Sequence, residues 1–356
     1  MRLLYVSSCH PTLEYNDLSL FCDMGFDCFS TGIYSDTDRP VNLSLWRDSS
    51  VPGLKKDHKS LEIFERDNPV YRGNLVGYNR PRLKLSKELI ERFDVVVCNS
   101  FSHYVLDNWN SLKDSKVIWR TYGDSTPEQE LLLQEKVDKG LNVVRGTVSE
   151  LDKPNACPGE VISCHIDEDW YKGWKGDEPV VLSFQNAFHI RRLEAMGQAY
   201  LRIRHKSGAK FELYGDHPHP MVKGFLDFKS QLEAYQRSQV YFSIGSHPAP
   251  ITYNFMEAMT TGMPVVTFGY GIGKSPKDGK PSYYQVPEFI ENGKTGFFSD
   301  DESELVDIVH TLLQDKELRS FISKEARKSA VSMWGKEAIK SKWKEYFQSL
   351  GVSCGS

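Results

Sequence analysis

The chain has 356 residues, of which 40% are hydrophobic and 26% are charged. These values are typical of a soluble globular protein and exclude a disordered or fibrous chain. The length corresponds to about two domains, each large enough to bury its own core. Lys and Arg number 44 against 48 Asp and Glu, which gives a formal charge of −4. This balance provides no global attraction to nucleic acid or anionic membranes and leaves open only a local basic patch.

The cysteines and the N-terminal segment predict a cytoplasmic location. The seven cysteines are odd in number and show no Cys-x-x-Cys spacing. This pattern indicates free thiols rather than disulfides or a zinc site. The N-terminus carries only a short apolar run, and no stretch approaches the ~18 apolar residues of a membrane span. We therefore expect no transmembrane segment.

Short apolar runs alternate with helical patterns through the first half of the chain. The predicted strands are residues 3–6, 28–33, 94–98, 116–121, 142–144 and 161–164. Helices are predicted at 83–93 and 127–137, the second opening with Pro127. Several of the strands are apolar without alternation, as expected for strands that are covered on both sides.

A polar segment with two glycines, residues 165–178, interrupts this alternation, and we place a domain boundary there. Strands are predicted after it at 180–184, 210–214, 240–244 and 264–268, with helices at 190–204, 229–237 and 254–261. Strands separated by helices predict α/β domains with doubly wound parallel sheets. We expect two Rossmann-like domains, 1–168 and 169–335, facing a central cleft at their strand carboxyl ends.

The last third of the sequence is predicted to be helical. Ser299-Asp-Asp-Glu302 is a candidate capping box for one helix, and a second helix is predicted at 316–333. The final helix, 336–350, carries Ile339, Trp343 and Phe347 at a spacing of four residues. This apolar stripe is expected to pack onto the protein.

The segment with the most specific pattern is 251–266. Thr252, Tyr253 and Asn254 mark a helix start, and Gly262 marks its end before a buried strand. Amides at a helix N-terminus suit a phosphate oxygen. Glu257, which we expect in the first turn, is suited to accept two sugar hydroxyls side by side. The alternative is that Glu257 only interacts favourably with the helix dipole.

Four further motifs follow Glu257-Ala-Met and Gly-Met-Pro-Val-Val in a recognisable order: Val-Pro-Glu, Asn-Gly-Lys-Thr-Gly-Phe, Leu-Leu-Gln-Asp and a terminal Trp-containing helix. Over roughly residues 180–347 this order resembles the C-terminal half of nucleotide-sugar glycosyltransferases of the GT-B fold, specifically family 4. The resemblance maps the family's ribose-binding glutamate to Glu257. It also implies that the last helix, 336–350, packs back onto the N-terminal domain.

The same resemblance implies an activity. It implies a hexosyl- or pentosyltransferase that works without a metal and without a bound cofactor. The expected donor is a UDP- or GDP-sugar, and the expected acceptor is a saccharide or another hydroxyl compound. The family's second glutamate, eight positions before Glu257, is Ala249 here. This departure motivates a different class of function, a non-catalytic nucleotide-sugar-binding protein.

Two further segments contain candidates for donor binding. Arg191 and Arg192 follow the strand 180–184, where guanidinium groups are suited to bidentate contacts with a diphosphate. The alternative is an exposed basic helix face. Phe225 precedes the helix 229–237, in a segment that borders the nucleobase in similar enzymes, and a core position is the alternative. The pair His217 and His219 has no evident third ligand, so no metal site is predicted.

The candidate general base lies in the first half of the chain. Asp124 follows the strand 116–121, whose last residues Arg120 and Thr121 we expect to face the cleft. A carboxylate there is suited to deprotonate an acceptor hydroxyl. The alternative is that Asp124, Ser125 or Thr126 caps the helix that opens with Pro127.

The placement of Asp124 resembles that of the base aspartate in bacteriophage DNA β-glucosyltransferases. This makes a hydroxymethylated DNA base the second choice of acceptor. An enzyme of that kind has to flip the base out of the stack and usually needs a basic channel. The net charge of −4 weighs against it.

Overall fold

The computed structural model describes residues 1–6, 11–32, 51, 53–54, 57–69, 82–123, 125–186, 188, 195–215, 219–247, 249–276 and 282–353. The chain divides into two compact units. Unit 1 comprises Met1–His165 together with Ile339–Ser356, and unit 2 comprises Ile166–Ala338. Each unit is built around one parallel sheet, which confirms the predicted α/β class.

The sheet of unit 1 has six described strands: β1 (Arg2–Val6), β2 (Asp27–Ser30), β3 (Val95–Asn99), β4 (Lys116–Thr121), β5 (Asn142–Arg145) and β6 (Glu160–Val161). Their order is β2-β1-β3-β4-β5-β6, and all neighbours are parallel. β3 is buried at every residue, which explains its uninterrupted apolar sequence. The strand order reverses between β1 and β3, because β2 lies on one side of β1 and the later strands lie on the other. The carboxyl ends of β1 and β3 therefore form a topological switch point.

The helices of unit 1 are α1 (Pro11–Asp23), α2 (His58–Asp67), α3 (Lys87–Ile90), α4 (Ser102–Leu106), α5 (Trp109–Leu112) and α6 (Pro127–Val137). A 3₁₀ helix, Val148–Asp152, follows β5. The cap of α6 is Thr126, whose hydroxyl accepts a hydrogen bond from the Gln129 amide while the Gln129 side chain accepts one from the Thr126 amide. This reciprocal pair fixes the start of α6.

The helix predicted at 83–93 is much shorter than expected. α3 covers only Lys87–Ile90. The amides of Lys84 and Leu85 donate instead to the side chains of Asn68 and Asn108, each at 2.8 Å. Side-chain acceptors from distant parts of the chain therefore hold residues 84 and 85 outside the helix, and Ser86 becomes its cap.

Unit 2 contains five described strands: β7 (Glu178–Phe184), β8 (Phe211–Tyr214), β9 (Ser238–Ser243), β10 (Val265–Phe268) and β11 (Phe297–Ser299). Their order is β11-β10-β9-β7-β8, again fully parallel. The described part of each sheet therefore has the flavodoxin-like order of a doubly wound fold rather than the Rossmann order. In unit 2 the switch point lies between β7 and β9.

The helices of unit 2 are α7 (Ala195–Ser207), α8 (Phe228–Arg237), α9 (Tyr253–Thr261), α10 (Tyr270–Gly273), α11 (Glu302–Gln314) and α12 (Lys316–Trp334), with a 3₁₀ helix at Val286–Phe289. α11 is capped by Asp301, which accepts hydrogen bonds from the amides of Ser303 and Glu304. The predicted capping box at Ser299 is therefore wrong, because Ser299 is still the last residue of β11.

The last helix, α13 (Lys336–Ser349), buries the apolar stripe predicted for it. From residue 339 onward it belongs to unit 1. The rings of Trp343 and Phe347 lie 4.9 and 5.7 Å from the ring of Phe21 on α1. This edge-on aromatic packing attaches the C-terminal segment to the core of unit 1.

A buried carboxylate on β8 makes the stability of unit 2 dependent on pH. Glu212 receives Lys223 Nζ at 2.7 Å and Arg237 Nη2 at 2.7 Å. Burial by itself raises the pKa of Glu212, but the hydrogen bonds from Lys223 and Arg237 outweigh it and lower that pKa to about 2. The folded-state pKa lies below the ordinary value of about 4.3. The stabilisation is therefore complete above about pH 5 and is lost as the pH falls toward 2.

We expect Glu212→Gln to destabilise unit 2 by about 2 kcal/mol at pH 7, which corresponds to a fall of about 4–8 °C in Tm. The difference from the wild-type Tm should shrink between pH 5 and pH 3, because the wild type loses the same stabilisation there. Thermal unfolding followed by circular dichroism at each pH measures this. The control is Glu233→Gln, which alters an exposed pair with Lys229 and should show neither effect. An equal loss at pH 7 and pH 3 would contradict the expectation.

Candidate functional site

The candidate donor site lies at the switch point of unit 2. The segment that contains Arg191 and Arg192 follows β7, and the segment 244–252 follows β9. β7 and β9 are neighbours in a parallel sheet, so their carboxyl ends lie side by side. Arg191 and Arg192 themselves lie outside the described residues, and their role stays a prediction.

Helix α9 begins and ends where the sequence predicts. Thr252 is its cap, with the side-chain oxygen 3.4 Å from the Phe255 amide, and Gly262 ends it in the left-handed region at φ +89°. Tyr253 and Asn254 occupy the first turn, where backbone N–H groups have no acceptor within the helix. The first turn of α9 therefore has the local geometry that binds an anion at a helix N-terminus.

Glu257 lies deeper in α9 than the sequence predicts. It is the fifth helical residue, beyond the first turn, and its exposed fraction is 3%. A favourable interaction with the helix dipole is confined to the first turn. The structure therefore disfavours the dipole alternative and assigns this carboxylate to a set of side-chain contacts.

Among the described residues, four neutral side chains donate to the Glu257 carboxylate, and we call them the Glu257 donors. The Tyr171 hydroxyl donates to Oε1 at 2.6 Å. Gln231 Nε2 at 3.1 Å, the Tyr235 hydroxyl at 3.0 Å and Asn254 Nδ2 at 3.3 Å donate to Oε2. Burial first, and then the charge of Glu257, raise the pKa of Tyr235 well above its ordinary value, so the phenol keeps its proton. A buried carboxylate needs such donors to avoid a large desolvation penalty.

Sequence reasoning missed three of these four donors. Gln231 and Tyr235 lie four residues apart on α8, a spacing that puts both on one helical face and carries a weak signal. Tyr171 lies in the segment 162–177, which contains no helix or strand, and carries no local signal. Its backbone is held from α12, because Arg327 Nη1 donates to the Tyr171 carbonyl at 2.5 Å.

Phe225 lies on the surface of unit 2. Its exposed fraction is 40%, so the alternative that it is a core residue is wrong. The residues before it pair with the end of β8, since the Lys223 amide donates to the Leu213 carbonyl at 2.8 Å and the Gly215 amide to the Gly224 carbonyl at 3.0 Å. Phe225 therefore follows a backbone that is fixed beside the carboxyl end of β8. A contact with a nucleobase stays a prediction.

Two kinds of feature are absent from the described residues. No group of His, Cys, Asp and Glu side chains among them is arranged to hold a metal ion. No helix among them is long and apolar enough to cross a membrane.

The candidate base Asp124 lies outside the described residues, but its neighbours are described. Lys153 Nζ donates to the carbonyls of Gly123 at 2.6 Å and Ser125 at 3.1 Å. The Gly123 amide donates to Glu150 Oε2 at 2.8 Å. The backbone is therefore fixed on both sides of position 124. The expected helix cap at Asp124, Ser125 or Thr126 is confirmed at Thr126, which leaves no capping role for the other two.

Behind this loop lies a buried ion pair. Arg145 donates to both oxygens of Glu130, at 3.1 and 2.9 Å, and neither side chain is exposed. Burial raises the pKa of Glu130, but the hydrogen bond and the charge of Arg145 outweigh it and lower that pKa, which keeps Glu130 ionised. Glu150 lies 3.9 Å from Arg145, and burial raises its pKa.

The expectation that Arg120 and Thr121 face a cleft is wrong, because both are fully buried inside unit 1. Arg120 Nε donates to Asp17 Oδ2 at 3.0 Å, and its guanidinium lies 5.0 Å from the Trp343 ring centre. The Thr121 hydroxyl donates to Glu150 at 3.0 Å. Internal partners from α1, α13 and the segment after β5 therefore occupy both side chains.

We expect Arg145→Met to destabilise the protein by about 3–5 kcal/mol, because it leaves Glu130 buried without its cation. Replacing both partners, in Arg145→Met with Glu130→Met, should recover a large part of that loss. Denaturant unfolding followed by circular dichroism measures both. Arg66→Met is the matched control, since Arg66 pairs with Glu88 and both side chains are 56% exposed. Its expected effect is below about 1 kcal/mol. Equal losses for Arg145→Met and Arg66→Met would contradict the buried-pair interpretation.

Solved structures share the fold of this chain. No protein-family model and no curated protein matches the sequence. Sucrose-phosphate synthase from Thermosynechococcus elongatus superposes with a TM-score of 0.67 at 12% identity, covering 99% of both chains. HepE from Anabaena, solved with UDP-glucose, gives 0.65 at 13% identity over 98% of this chain and 100% of its own. A glycosyltransferase from Rickettsia africae gives 0.61 at 12% identity, covering 99% of both chains. At such identities the likeness shows the fold, and it confirms the predicted GT-B fold of two parallel α/β domains.

Proposed function

We propose that this protein is a glycosyltransferase that moves a sugar from a nucleotide-diphosphate donor, a UDP- or GDP-sugar, to an acceptor hydroxyl. One observation carries the proposal: a buried carboxylate, Glu257, lies five residues into the helix that follows the switch-point strand β9. The motifs around it resemble glycosyltransferase family 4, and HepE, which shares the fold, was solved with UDP-glucose. We further propose membership of family 4 and a reaction that needs no metal.

The proposed donor contacts divide among three parts of unit 2. Glu257 accepts the ribose hydroxyls. Arg191 and Arg192 bind the diphosphate together with the amides in the first turn of α9, at Tyr253 and Asn254. Phe225 contacts the nucleobase. Charge builds up on the departing diphosphate during transfer, so fixed donors at the diphosphate supply much of the transition-state stabilisation.

The proposed base is Asp124 in unit 1. The acceptor hydroxyl oxygen forms a bond to the anomeric carbon, the bond from that carbon to the diphosphate oxygen breaks, and Asp124 takes the hydroxyl proton. The contacts of Lys153 and Glu150 to residues 123 and 125 support this role, because they fix the backbone around position 124. The assignment of the cap to Thr126 supports it as well.

A second candidate function is nucleotide-sugar binding without transfer. It is favoured by Ala249, which stands where family 4 has its second glutamate. Under this alternative the donor stabilises the protein but no nucleotide diphosphate is released, even slowly, with any acceptor. A DNA acceptor draws no support from the proteins that share the fold.

We expect one donor class among UDP-, GDP-, ADP- and CMP-sugars to raise the Tm of the wild type. A ligand at 100 times its Kd contributes about 2.7 kcal/mol to stability. This shift should disappear in Glu257→Ala, because the ribose contact is removed, and it should be strongly reduced in Glu257→Gln. Circular dichroism establishes that each variant is folded before the comparison. Equal shifts in wild type and folded variants would refute the role of Glu257.

We expect Asp124→Asn to lower sugar transfer by at least about 100-fold, because the acceptor hydroxyl loses its base. The donor-induced Tm shift should stay at the wild-type value, since Asp124 does not contact the nucleotide. Release of nucleotide diphosphate in the presence of an acceptor panel measures transfer. Asp138→Asn, at the exposed end of α6, is the control and should retain full activity. Wild-type rates in Asp124→Asn would remove this residue from the mechanism.

A further inference from the structure

We propose that Tyr171 is a gate for the donor site: its hydroxyl, which donates to Glu257, gives way to a ribose hydroxyl when the donor binds. The inference rests on the proposed role of Glu257 as the ribose ligand. It goes beyond that role by naming the residue that controls access to the carboxylate. It also assigns to that residue a part in selecting ribonucleotides.

The Glu257 carboxylate is buried, so a ligand cannot contact it while the surrounding side chains keep their positions. The exposed fraction of Glu257 is 3%, and that of Tyr171 is also 3%. Donors approach both carboxylate oxygens from within unit 2. A ribose hydroxyl can therefore take the place of a Glu257 donor on one of these oxygens only if that donor moves away.

Of the four Glu257 donors, only Tyr171 lies outside a helix, and we therefore assign the movement to its side chain. Tyr235 is fully buried on α8, with its ring centre 5.1 Å from that of Phe184, and Gln231 lies one turn earlier on the same helix. Asn254 belongs to α9, the helix that carries Glu257. The backbones of these three residues are therefore held in helices. Tyr171 lies in the irregular segment 162–177, and its ring centre lies 6.3 Å from that of Phe228 and 6.1 Å from that of Tyr235. Its rotation therefore breaks side-chain contacts with α8 but no backbone hydrogen bond of a helix or strand.

The backbone at Tyr171 is anchored, which makes the motion one of the side chain. Arg327 donates to the Tyr171 carbonyl at 2.5 Å and to the Glu168 carbonyl at 3.0 Å. The gate is therefore a rotation of the phenol about a fixed backbone position. Rotamer changes of this kind are cheap relative to local unfolding.

The chemistry of the exchange keeps the carboxylate satisfied in both states. A phenol and a ribose hydroxyl are both neutral O–H donors, so each supplies Oε1 with a hydrogen bond. A buried carboxylate that loses a donor without replacement is strongly destabilised. A nucleotide that lacks the ribose hydroxyls therefore cannot displace Tyr171. The contact between Tyr171 and Glu257 also opposes donor binding, because it has to be broken first.

The test compares affinities of wild type and Tyr171→Phe for UDP and GDP and for their 2′,3′-dideoxy counterparts, measured by calorimetry. Removing the competing hydroxyl should tighten binding of the accepted ribonucleotide by about tenfold, the usual strength of a hydrogen bond to a charged group. Affinity for the dideoxy nucleotide should be unchanged, so the preference for ribose should rise by the same factor. An unchanged or weakened affinity for the ribonucleotide overturns the gate.

Two other tyrosines provide controls. Tyr235→Phe removes a donor that stays in place on Oε2, so it should weaken ribonucleotide binding, the opposite direction. Tyr284→Phe removes an equally buried hydroxyl, 2.6 Å from Thr267 Oγ1, and should leave affinity unchanged. If Tyr171→Phe weakens binding as Tyr235→Phe does, Tyr171 positions the carboxylate and is not a gate.

A second readout uses folded wild-type protein and does not depend on the Tyr171 variant. Trp170 precedes the gate, is 39% exposed, and its ring centre lies 5.1 Å from that of Phe228. The fluorescence of Trp170 is the signal of the wild type minus that of Trp170→Phe. It should change when the ribonucleotide is added and should not change when the dideoxy nucleotide is added. An identical response to both overturns the gate. Failure of the proposed function gives a different result: every nucleotide binds Glu257→Ala as well as it binds the wild type.

Discussion

The constraint on which the rest of the structure depends is the parallel arrangement of both sheets. Parallel strands require a crossover after every strand, and these crossovers cover the sheet faces. The central strands are therefore buried on both sides, and the candidate donor site lies on segments that leave the carboxyl ends of strands. The same geometry brings together segments far apart in the chain. In unit 2 it places the residues after β7 beside those after β9, although about 60 residues separate them.

The buried carboxylates have two kinds of described partner, cationic side chains and neutral hydrogen-bond donors. The kind of partner affects whether a ligand can replace it. Glu130 is paired with the cation Arg145 in bidentate contact, and Arg120 is paired with Asp17. A charged partner in low dielectric cannot leave without a large penalty, so these pairs fix the structure of unit 1. Among the described residues, four neutral side chains donate hydrogen bonds to Glu257. A neutral donor can be exchanged for another neutral donor, which makes this carboxylate suited to bind a ligand hydroxyl.

The parts that sequence reasoning predicted well have local causes. Helix α9 starts at Thr252 and ends at Gly262 because a side-chain cap and a left-handed glycine act over a few residues. The stripe of Ile339, Trp343 and Phe347 follows from helical periodicity alone. The parallel α/β class follows from the alternation of apolar runs and helices. In each case the deciding interaction lies within about one or two turns of the chain.

The sequence by itself determined the fold class, the course of most strands and helices, and the candidate carboxylates. Tertiary structure decided which groups those carboxylates meet. The Tyr171 donor of Glu257 is 86 residues away in the chain, and no local pattern marks it. Asn68 and Asn108 accept hydrogen bonds from the backbone before α3, which keeps those residues out of the helix. Asp17 accepts a hydrogen bond from Arg120 inside unit 1. The physical reason is the same throughout. A polar group that burial removes from water must find a partner wherever the fold provides one, and the sequence near that group does not specify the partner.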